Sequence, residues 1–237
     1  MSEILDQAIA GIQYWDEVRN DHTVTIPLFN KGSYFKITAN AYAVWKGILD
    51  DSGYQEKDQS IHAYFSLDNP SSTGNLSCYG VDNYTDSLTV SGHEGNYDYS
   101  LQPIPYEPAT LSNVYFNQEV FAASGMDPLT ALEQSTQWTL HKDSWLENQT
   151  NMAQILVIPF KDIKQLFEVA HAEFLVAQPA FSLEDEGGIY QLQMDLIIWG
   201  YSNYNGIIGK YPQDLIHPVP PYSMYPASDF QLLQAAL

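Results

Sequence analysis

The stretch IHAYFSLDNPSSTGNLSCYGV, residues 61 to 81, is the part of this chain that most directly decides its fold. Apolar and polar residues largely alternate from Ile61 to Asp68, which is the two-residue period of a β-strand. Residues 69 to 75 have the asparagine, proline, serine and glycine content of a turn, and Leu76 to Val81 is a second strand-forming run. The stretch therefore predicts a β-hairpin.

The region before this hairpin predicts a strand followed by a helix. Thr23 to Phe29 is rich in β-branched and aromatic residues, which favours a strand that ends near Lys31 and Gly32. From Ser33 to Leu49 the apolar residues recur at threes and fours, which indicates a helix with Ser33 as its N-cap. The polar segment Asp50 to Gln59 is then a loop.

A later region of the chain follows the same order of elements. Its proline and glycine residues fall at the points where the hydrophobic period changes, which marks the ends of helices and strands. The elements we predict are a strand at Ile155 to Phe160, a helix that Asp162 caps and Pro179 ends, a hairpin strand at Ala180 to Leu183, a turn at Glu184 to Gly188, and a returning strand at Ile189 to Trp199.

Four short motifs recur in the same order in the two regions, which suggests an internal duplication. The matched pairs are Ile26–Phe29 with Ile158–Phe160, Phe65–Asp68 with Phe181–Glu184, Tyr79–Tyr84 with Trp199–Tyr204, and Leu101–Tyr106 with Ile216–Tyr222.

The duplication predicts a first unit at residues 1–110, a connector at 111–145 and a second unit at 146–237. Helices are expected at Ile4 to Trp15 and, inside the connector, at Pro128 to Trp138. The predicted fold class is α+β, with two related units forming a pseudo-dimer. Each unit is a mainly antiparallel sheet with one or two packed helices.

The first unit also resembles a group of short uncharacterised proteins of Bacteroidota. The resemblance rests on Ala63 to Asp68, on the Leu-x-x-x-Gly-x-Asp strand from Leu76 to Asp82, and on the Pro-x-Pro ending at Pro103 to Pro105. It implies a strand, helix, hairpin and proline strap, here present as two tandem copies. It implies no particular activity.

The charge of the chain is strongly one-sided. The formal net charge is -20, from 29 acidic and 9 basic residues, and Arg19 is the only arginine. Nucleic-acid binding depends on Lys and Arg neutralising phosphates, so this balance argues against a nucleic-acid partner. Two interpretations remain open, a solvated acidic surface and an acidic face for a basic protein partner.

Targeting and redox signals give only negative expectations. Cys78 is the single cysteine, so the sequence offers neither an internal disulfide nor a cysteine zinc cluster. Residues 1 to 11 lack the positively charged segment of a secretory signal. The apolar runs are far shorter than the roughly 20 residues of a membrane helix. We expect a cytoplasmic protein without a membrane partner.

The chain carries no sequence motif for a known chemistry. Its six histidines are scattered, and no phosphate-binding loop, zinc-protease motif or nucleophile elbow is present. The segment Ser91 to Asp98 mixes acid–base groups with glycines and is interpreted as a hairpin tip. Paired carboxylates such as Asp82 and Asp86 are a minor glycosidase-like possibility. No catalytic residue and no cofactor are predicted.

One weak metal candidate is the acidic run Glu184, Asp185 and Glu186. Carboxylate oxygens are ligands that Ca²⁺ prefers, but their spacing differs from that of an EF-hand loop. A solvated turn is the favoured interpretation.

The aromatic residues near turns and straps are the predicted binding residues. Such side chains suit protein interfaces, although packing on half-exposed sheet faces explains them equally well. The predicted set is Tyr79, Tyr84, Tyr97, Tyr106, Trp199, Tyr201, Tyr204 and Tyr222.

The resulting hypothesis is a non-enzymatic protein-binding or assembly protein with an acidic, Tyr-rich interaction surface. One alternative is an acidic inhibitor or immunity-type protein that masks a basic site. The other is a hydrolase with a carboxylate or histidine site. A homo-oligomer is left open.

Overall fold

The computed structural model describes residues 3–88, 94–108, 126–186, 189–202, 206–207, 217–219 and 229–237. The helices within these ranges are α1 (Glu3–Val18), α2 (His22–Phe29), α3 (Ala39–Asp51), α4 (Asn83–Asp86), α5 (Glu94–Ser100), α6 (Pro128–Leu146), α7 (Phe160–Lys164) and α8 (Gln231–Ala236). The strands are β1 (Tyr34–Thr38), β2 (Ser60–Leu67), β3 (Leu76–Asp82), β4 (Gln102–Glu107), β5 (Ile155–Pro159), β6 (Phe174–Glu186), β7 (Ile189–Ser202), β8 (Gly206–Ile207) and β9 (His217–Val219).

The strands of the described ranges form one antiparallel sheet, so the α+β class is confirmed. The sheet has nine strands in the order β8-β7-β6-β1-β4-β3-β2-β5-β9. Every neighbouring pair is antiparallel. Cα atoms of β7 and β9 also come within 8 Å of each other, because the sheet curls.

The hairpin at residues 61 to 81 is confirmed. Strands β2 and β3 pair in register from Ile61 with Asp82 to Leu67 with Leu76. Strand β2 is buried on both faces. Phe65 and Leu67 pack in the main core, whereas Tyr64 packs in a second cluster that includes residues of α1, α5 and α8. Gly80 allows α3 to approach the sheet, because a Cβ there would lie 2.5 Å from Trp45 Cζ2.

The predicted strand at Thr23 to Phe29 is wrong, because this segment is helix α2. Asp21 caps the helix, and its side chain accepts a hydrogen bond from the Thr23 backbone N–H at 2.9 Å. Leu28 and Phe29 are buried in the main core. Capping and burial outweigh the strand preference of the β-branched residues, which is only a weak local term.

The predicted helix from Ser33 to Leu49 is partly wrong. Its first part is strand β1, which pairs with β4 and β6 in the middle of the sheet. Helix α3 then begins at Ala39, and its N-cap is Thr38 and not Ser33. Phe35 and Ile37 of β1 therefore reach the core at the two-residue spacing of a strand and not at the spacing of a helix.

The second region also departs from its prediction. Helix α7 is short and continues into a π-helical turn at Gln165–Val169, and Asp162 lies inside α7 while Pro159 is the N-cap residue. Pro179 lies within β6. Strand β1 pairs with β6 only from Phe174 to Ala177, so the missing N–H of proline lies beyond that ladder.

The predicted turn at Glu184 to Gly188 is wrong for its first three residues, which belong to a strand. Strand β6 continues through Glu186, which pairs with Ile189 of β7. Residues 187 and 188 lie outside the described residues.

Both additional helices are confirmed and are longer than predicted. The first is α1, and the second is α6, which continues to Leu146. Within the described ranges, no helix combines the length and the apolar character needed to cross a membrane.

The main core lies between the sheet and the helices that cover its inner face. Trp15 of α1 stacks on Phe65 with ring centroids 5.2 Å apart. Trp138 of α6 contacts both Phe29 and Phe181, at 5.4 and 5.1 Å. This core positions α6 so that one side of the helix packs on the protein.

Candidate functional site

The predicted aromatic residues do not form a single exposed surface in the described part of the chain. Tyr97 is fully buried, and Trp199 and Tyr201 are only 3% and 9% exposed. Tyr79, Tyr84 and Tyr106 are half-buried, while Tyr204 and Tyr222 lie outside the described residues.

Two of these tyrosines take structural positions. The Tyr106 hydroxyl donates to the backbone carbonyl of Phe29 at 3.1 Å, and burial raises the pKa of Tyr106 above its usual range. Tyr97 belongs to a buried polar cluster around Asp86. These two residues therefore support the fold through their hydroxyl groups.

The Asp86 cluster joins four elements of the fold around one buried carboxylate. His62 Nδ1 lies 2.5 Å from Asp86 Oδ2, and the Tyr64 hydroxyl donates to the same oxygen. The Tyr97 hydroxyl and the Leu232 backbone N–H each donate to Oδ1 at 3.1 Å. Strand β2, α4, α5 and α8 are held together here.

The electrostatics of the cluster keep its hydroxyl groups protonated. Burial, followed by the negative charge of Asp86, raises the pKa of Tyr64 and that of Tyr97 well above the usual tyrosine value. Both hydroxyls therefore remain hydrogen-bond donors. A buried carboxylate with this many donors has its hydrogen-bonding capacity met.

The predicted carboxylate pair Asp82 and Asp86 is inaccessible to solvent. Both residues are 0% exposed. Asp82 caps α4 through the Thr85 backbone N–H at 2.8 Å and accepts from Ser100 Oγ at 2.5 Å. Burial raises the pKa of Asp82. The pair holds α4 and α5 in place and does not line an open cleft.

The remaining predicted sites can be placed only in part. Residues 91–93 lie outside the described residues, and Glu94 to Ser100 is helix α5, so a hairpin tip there is wrong. Glu184 to Glu186 belongs to β6, and nothing is described of these three side chains. Among the described residues, no group of three or more His, Cys, Asp or Glu side chains is placed to hold a metal ion.

Helix α6 carries an exposed apolar surface that the sequence prediction missed. Asp127 caps the helix through the Thr130 backbone N–H at 3.0 Å, and a proline follows in the first turn. Ala131, Trp138 and Leu146 are buried against the protein. These contacts fix which side of α6 faces solvent.

The exposed side of α6 combines leucines with carboxylates. Leu129, Leu132 and Leu140 are 69%, 44% and 67% exposed. Their spacing, together with that of the exposed Glu133, Asp143 and Glu147, places all six side chains on one face. We call these six residues the acidic leucine face.

Two carboxylates of this face lie at an unfavourable end of the helix. Asp143 is in the last turn of α6 and Glu147 is its C-cap residue, and the last turn holds no basic residue. The C-terminal end of a helix dipole is negative, so carboxylates there reduce helix stability. The helix dipole therefore does not explain their position, and the described contact that holds Asp143 from another helix is a hydrogen bond from Asn30 Nδ2 at 3.4 Å.

No protein-family model, no curated protein and no solved structure matches this chain. The candidate site is thus defined by its own geometry. Of the two candidate sites, the exposed face of α6 is the better supported binding site. The ionisable groups of the Asp86 cluster are buried and already paired with one another.

Proposed function

We propose that this chain is a binding protein that docks another protein through the acidic leucine face. The observation that carries the proposal is the exposure of Leu129, Leu132 and Leu140 on one side of a well-anchored helix. Single exposed leucines are common on protein surfaces, but apolar side chains gathered on one face mark interaction sites.

The energy available from this face is sufficient for a specific but modest interaction. Burying a leucine side chain completely contributes about 1.5 to 3 kcal/mol. These leucines are already partly covered, and association also costs rotational and translational freedom. We therefore expect an affinity in the range of transient complexes, which have small interfaces.

The acidic inhibitor or immunity-type function is a special case of the same proposal. The net charge of -20 favours a basic partner, and the carboxylates of α6 place negative charge beside the leucines. The hydrolase alternative receives less support, since Asp82 and Asp86 are closed to solvent.

Site-specific photocrosslinking would test the proposed function. A photoreactive residue is introduced at Leu132, with a matched control at Lys57, an exposed position outside α6. In extracts of the source organism, we expect one protein to crosslink at Leu132 but not at Lys57. The crosslink should disappear when L129Q and L140Q are added. Equal labelling at both positions, or no labelling, would contradict the proposal.

We further propose that the sheet consists of two related units. Three of the four matched motif pairs overlap strands that follow one another in the same order along the chain, namely β2 and β6, β3 and β7, and β4 and β9. Strand β1 pairs with β4 and strand β5 with β9, which also supports the correspondence.

The remaining motif pair does not support the duplication. Ile26–Phe29 lies in α2, whereas Ile158–Phe160 spans the end of β5 and the start of α7. An experimental structure in which β2-β3-β4 superposes on β6-β7-β9 would support two units. A mismatch in strand direction would contradict them.

A further inference from the structure

We propose that the occupant of the acidic leucine face is one amphipathic helix of the partner, with an apolar stripe and with lysine or arginine at the positions that meet the carboxylates of α6. This inference rests on the proposed function and specifies the chemistry of the partner. It follows from the shape of the face, the distribution of its charges and the exclusion of a second copy.

The shape of the face favours a helix. From Leu129 to Glu147 the exposed side is about 27 Å long, at about 1.5 Å per residue. Its side chains stand in rows at three- and four-residue spacing, which interlock with the same rows on another helix. An extended partner strand needs a free sheet edge, and the backbone N–H and C=O groups inside α6 are used by the helix itself.

The charges of the face specify where the partner helix carries its cations. Glu133 is exposed between Leu132 and Leu140, and Asp143 and Glu147 are exposed beyond Leu140. The lysine of α6, Lys142, forms an ion pair with Asp143 at 3.8 Å, and Glu133 and Glu147 keep the net charge of the face negative. A partner with lysine or arginine beside its apolar stripe would pair with these carboxylates at the rim of the contact.

A second copy of this chain is a poor occupant for the same reason. A symmetric dimer places the same patch on both sides of the interface. Two acidic leucine faces would then bring six carboxylates together, and like charges across an interface are destabilising. A nucleic acid or an anionic membrane would meet the same repulsion.

The helix dipole gives a separate reason to assign the carboxylates a binding role. Asp143 and Glu147 weaken the end of α6 at which they stand. A cation from a partner helix would relieve this repulsion, so the complex gains an interaction that the free protein lacks. Binding and helix stability therefore respond in opposite directions when these carboxylates are neutralised.

A defined peptide probe tests this inference on the full chain. The probe is a fluorescent 18-residue synthetic helix with leucine at every third or fourth position and lysine elsewhere. Its affinity is measured by fluorescence anisotropy for the wild type and for two face variants. One variant is L129Q/L132Q/L140Q, and the other is E133Q/D143N/E147Q.

The control is D6N/E17Q/D51N, which removes the same number of charges at exposed positions outside α6. We expect each face variant to weaken binding by about tenfold or more, which corresponds to about 1.4 kcal/mol. The control should change it by less than about twofold. Binding by the wild type should also weaken as salt rises, since exposed charge pairs are screened.

The outcomes separate this inference from the proposed function. Equal weakening by the control and by the charge variant would mean general attraction to an acidic protein and would overturn the inference. Absence of probe binding, together with a specific crosslink at Leu132, would overturn the helix partner but retain the docking surface. Absence of both would overturn both.

Two further readouts complete the test. Circular dichroism and thermal unfolding check that each variant is folded. We expect the leucine variants to fold, because glutamine has nearly the helix propensity of leucine. Sedimentation of the wild type at several concentrations detects self-association. A dimer that disappears in L129Q/L132Q/L140Q would identify a second copy as the occupant and overturn the inference.

Discussion

The Asp86 cluster buries a charged group, whereas the acidic leucine face exposes apolar side chains. The first puts a carboxylate at 0% exposure inside the protein, and the second leaves leucines at 44% to 69% exposure outside it. The buried carboxylate has four donors, so its partners are already supplied by the fold. The exposed leucines are covered only in part by the described residues. The difference separates a residue that supports stability from residues that are available for binding.

The largest expected effect is the loss of the buried carboxylate. Asp86→Ala would leave the donors from His62, Tyr64, Tyr97 and the Leu232 backbone without their acceptor. Breaking such a buried network costs about 3 to 5 kcal/mol in the free energy of unfolding. Urea denaturation measures this loss, with the exposed Asp51→Ala as control. A loss below about 1 kcal/mol would show that the cluster does not have the structural role assigned to it.

A second, smaller effect concerns Asp82 and has a defined pH dependence. Burial raises the pKa of Asp82 above its unfolded value of 3.8, so the folded state holds its proton more tightly. The contribution of Asp82 to stability therefore falls as pH rises from about 4 towards its folded pKa. Asp82→Asn removes this titration while it retains a good N-cap residue.

The stability of Asp82→Asn relative to the wild type should therefore increase across that window and become constant above it. Thermal unfolding between about pH 3.5 and pH 7 provides the measurement. Asp51→Asn serves as the exposed control and should run parallel to the wild type. A difference that decreases with pH would mean that the Ser100 and Thr85 hydrogen bonds outweigh burial.

A third, still smaller effect on stability is expected for the exposed carboxylates of α6, and it has the opposite sign to the loss of Asp86. D143N/E147Q removes negative charge from the C-terminal end of α6 and should raise the free energy of unfolding by about 0.3 to 1 kcal/mol per charge at low salt. The same variant should bind the basic helical probe less tightly. A destabilised protein would indicate that the contacts of Asp143 with Asn30 and Lys142 matter more than the dipole.

The smallest expected effect on stability belongs to the exposed leucines. L129Q/L132Q/L140Q should change the free energy of unfolding by less than about 0.5 kcal/mol per site, because surface substitutions outside special features are nearly neutral. Trp138→Ala, on the buried side of the same helix, should cost about 3 to 5 kcal/mol. Chemical denaturation of both variants compares the two sides of α6. A similar cost for both would mean that the leucines are packed against the protein.

Local sequence signals predicted the secondary structure correctly where the hydrophobic period, the helix caps and the turn residues agreed. The hairpin of β2 and β3, α1 and the start of α6 are such cases. They were insufficient at residues 23 to 29, where β-branched residues form α2 under the influence of the Asp21 cap and core packing. They also missed that Pro179 can remain in β6, because this depends on where the neighbouring strand ends.

The candidate site was less predictable than the fold for a physical reason. The spacing of Leu129, Leu132 and Leu140 is visible in the sequence, but the same spacing is expected of a buried side. Only the packing of Ala131, Trp138 and Leu146 shows which side of α6 is covered. Likewise, Tyr97 was predicted as a binding residue, and its burial beside Asp86 depends on contacts with α4 and α8.

The sequence by itself determined the α+β class, the acidic charge and the central hairpin, because these depend on composition and on short-range period. The tertiary structure decided which side chains are buried. Asp86 acquires its donors from residues as distant in sequence as Leu232, which lies 146 positions away. The exposure of Leu129, Leu132 and Leu140 depends on how α6 rests on β6 and the core. Such long-range contacts are set by the whole fold, and local residue patterns do not specify them.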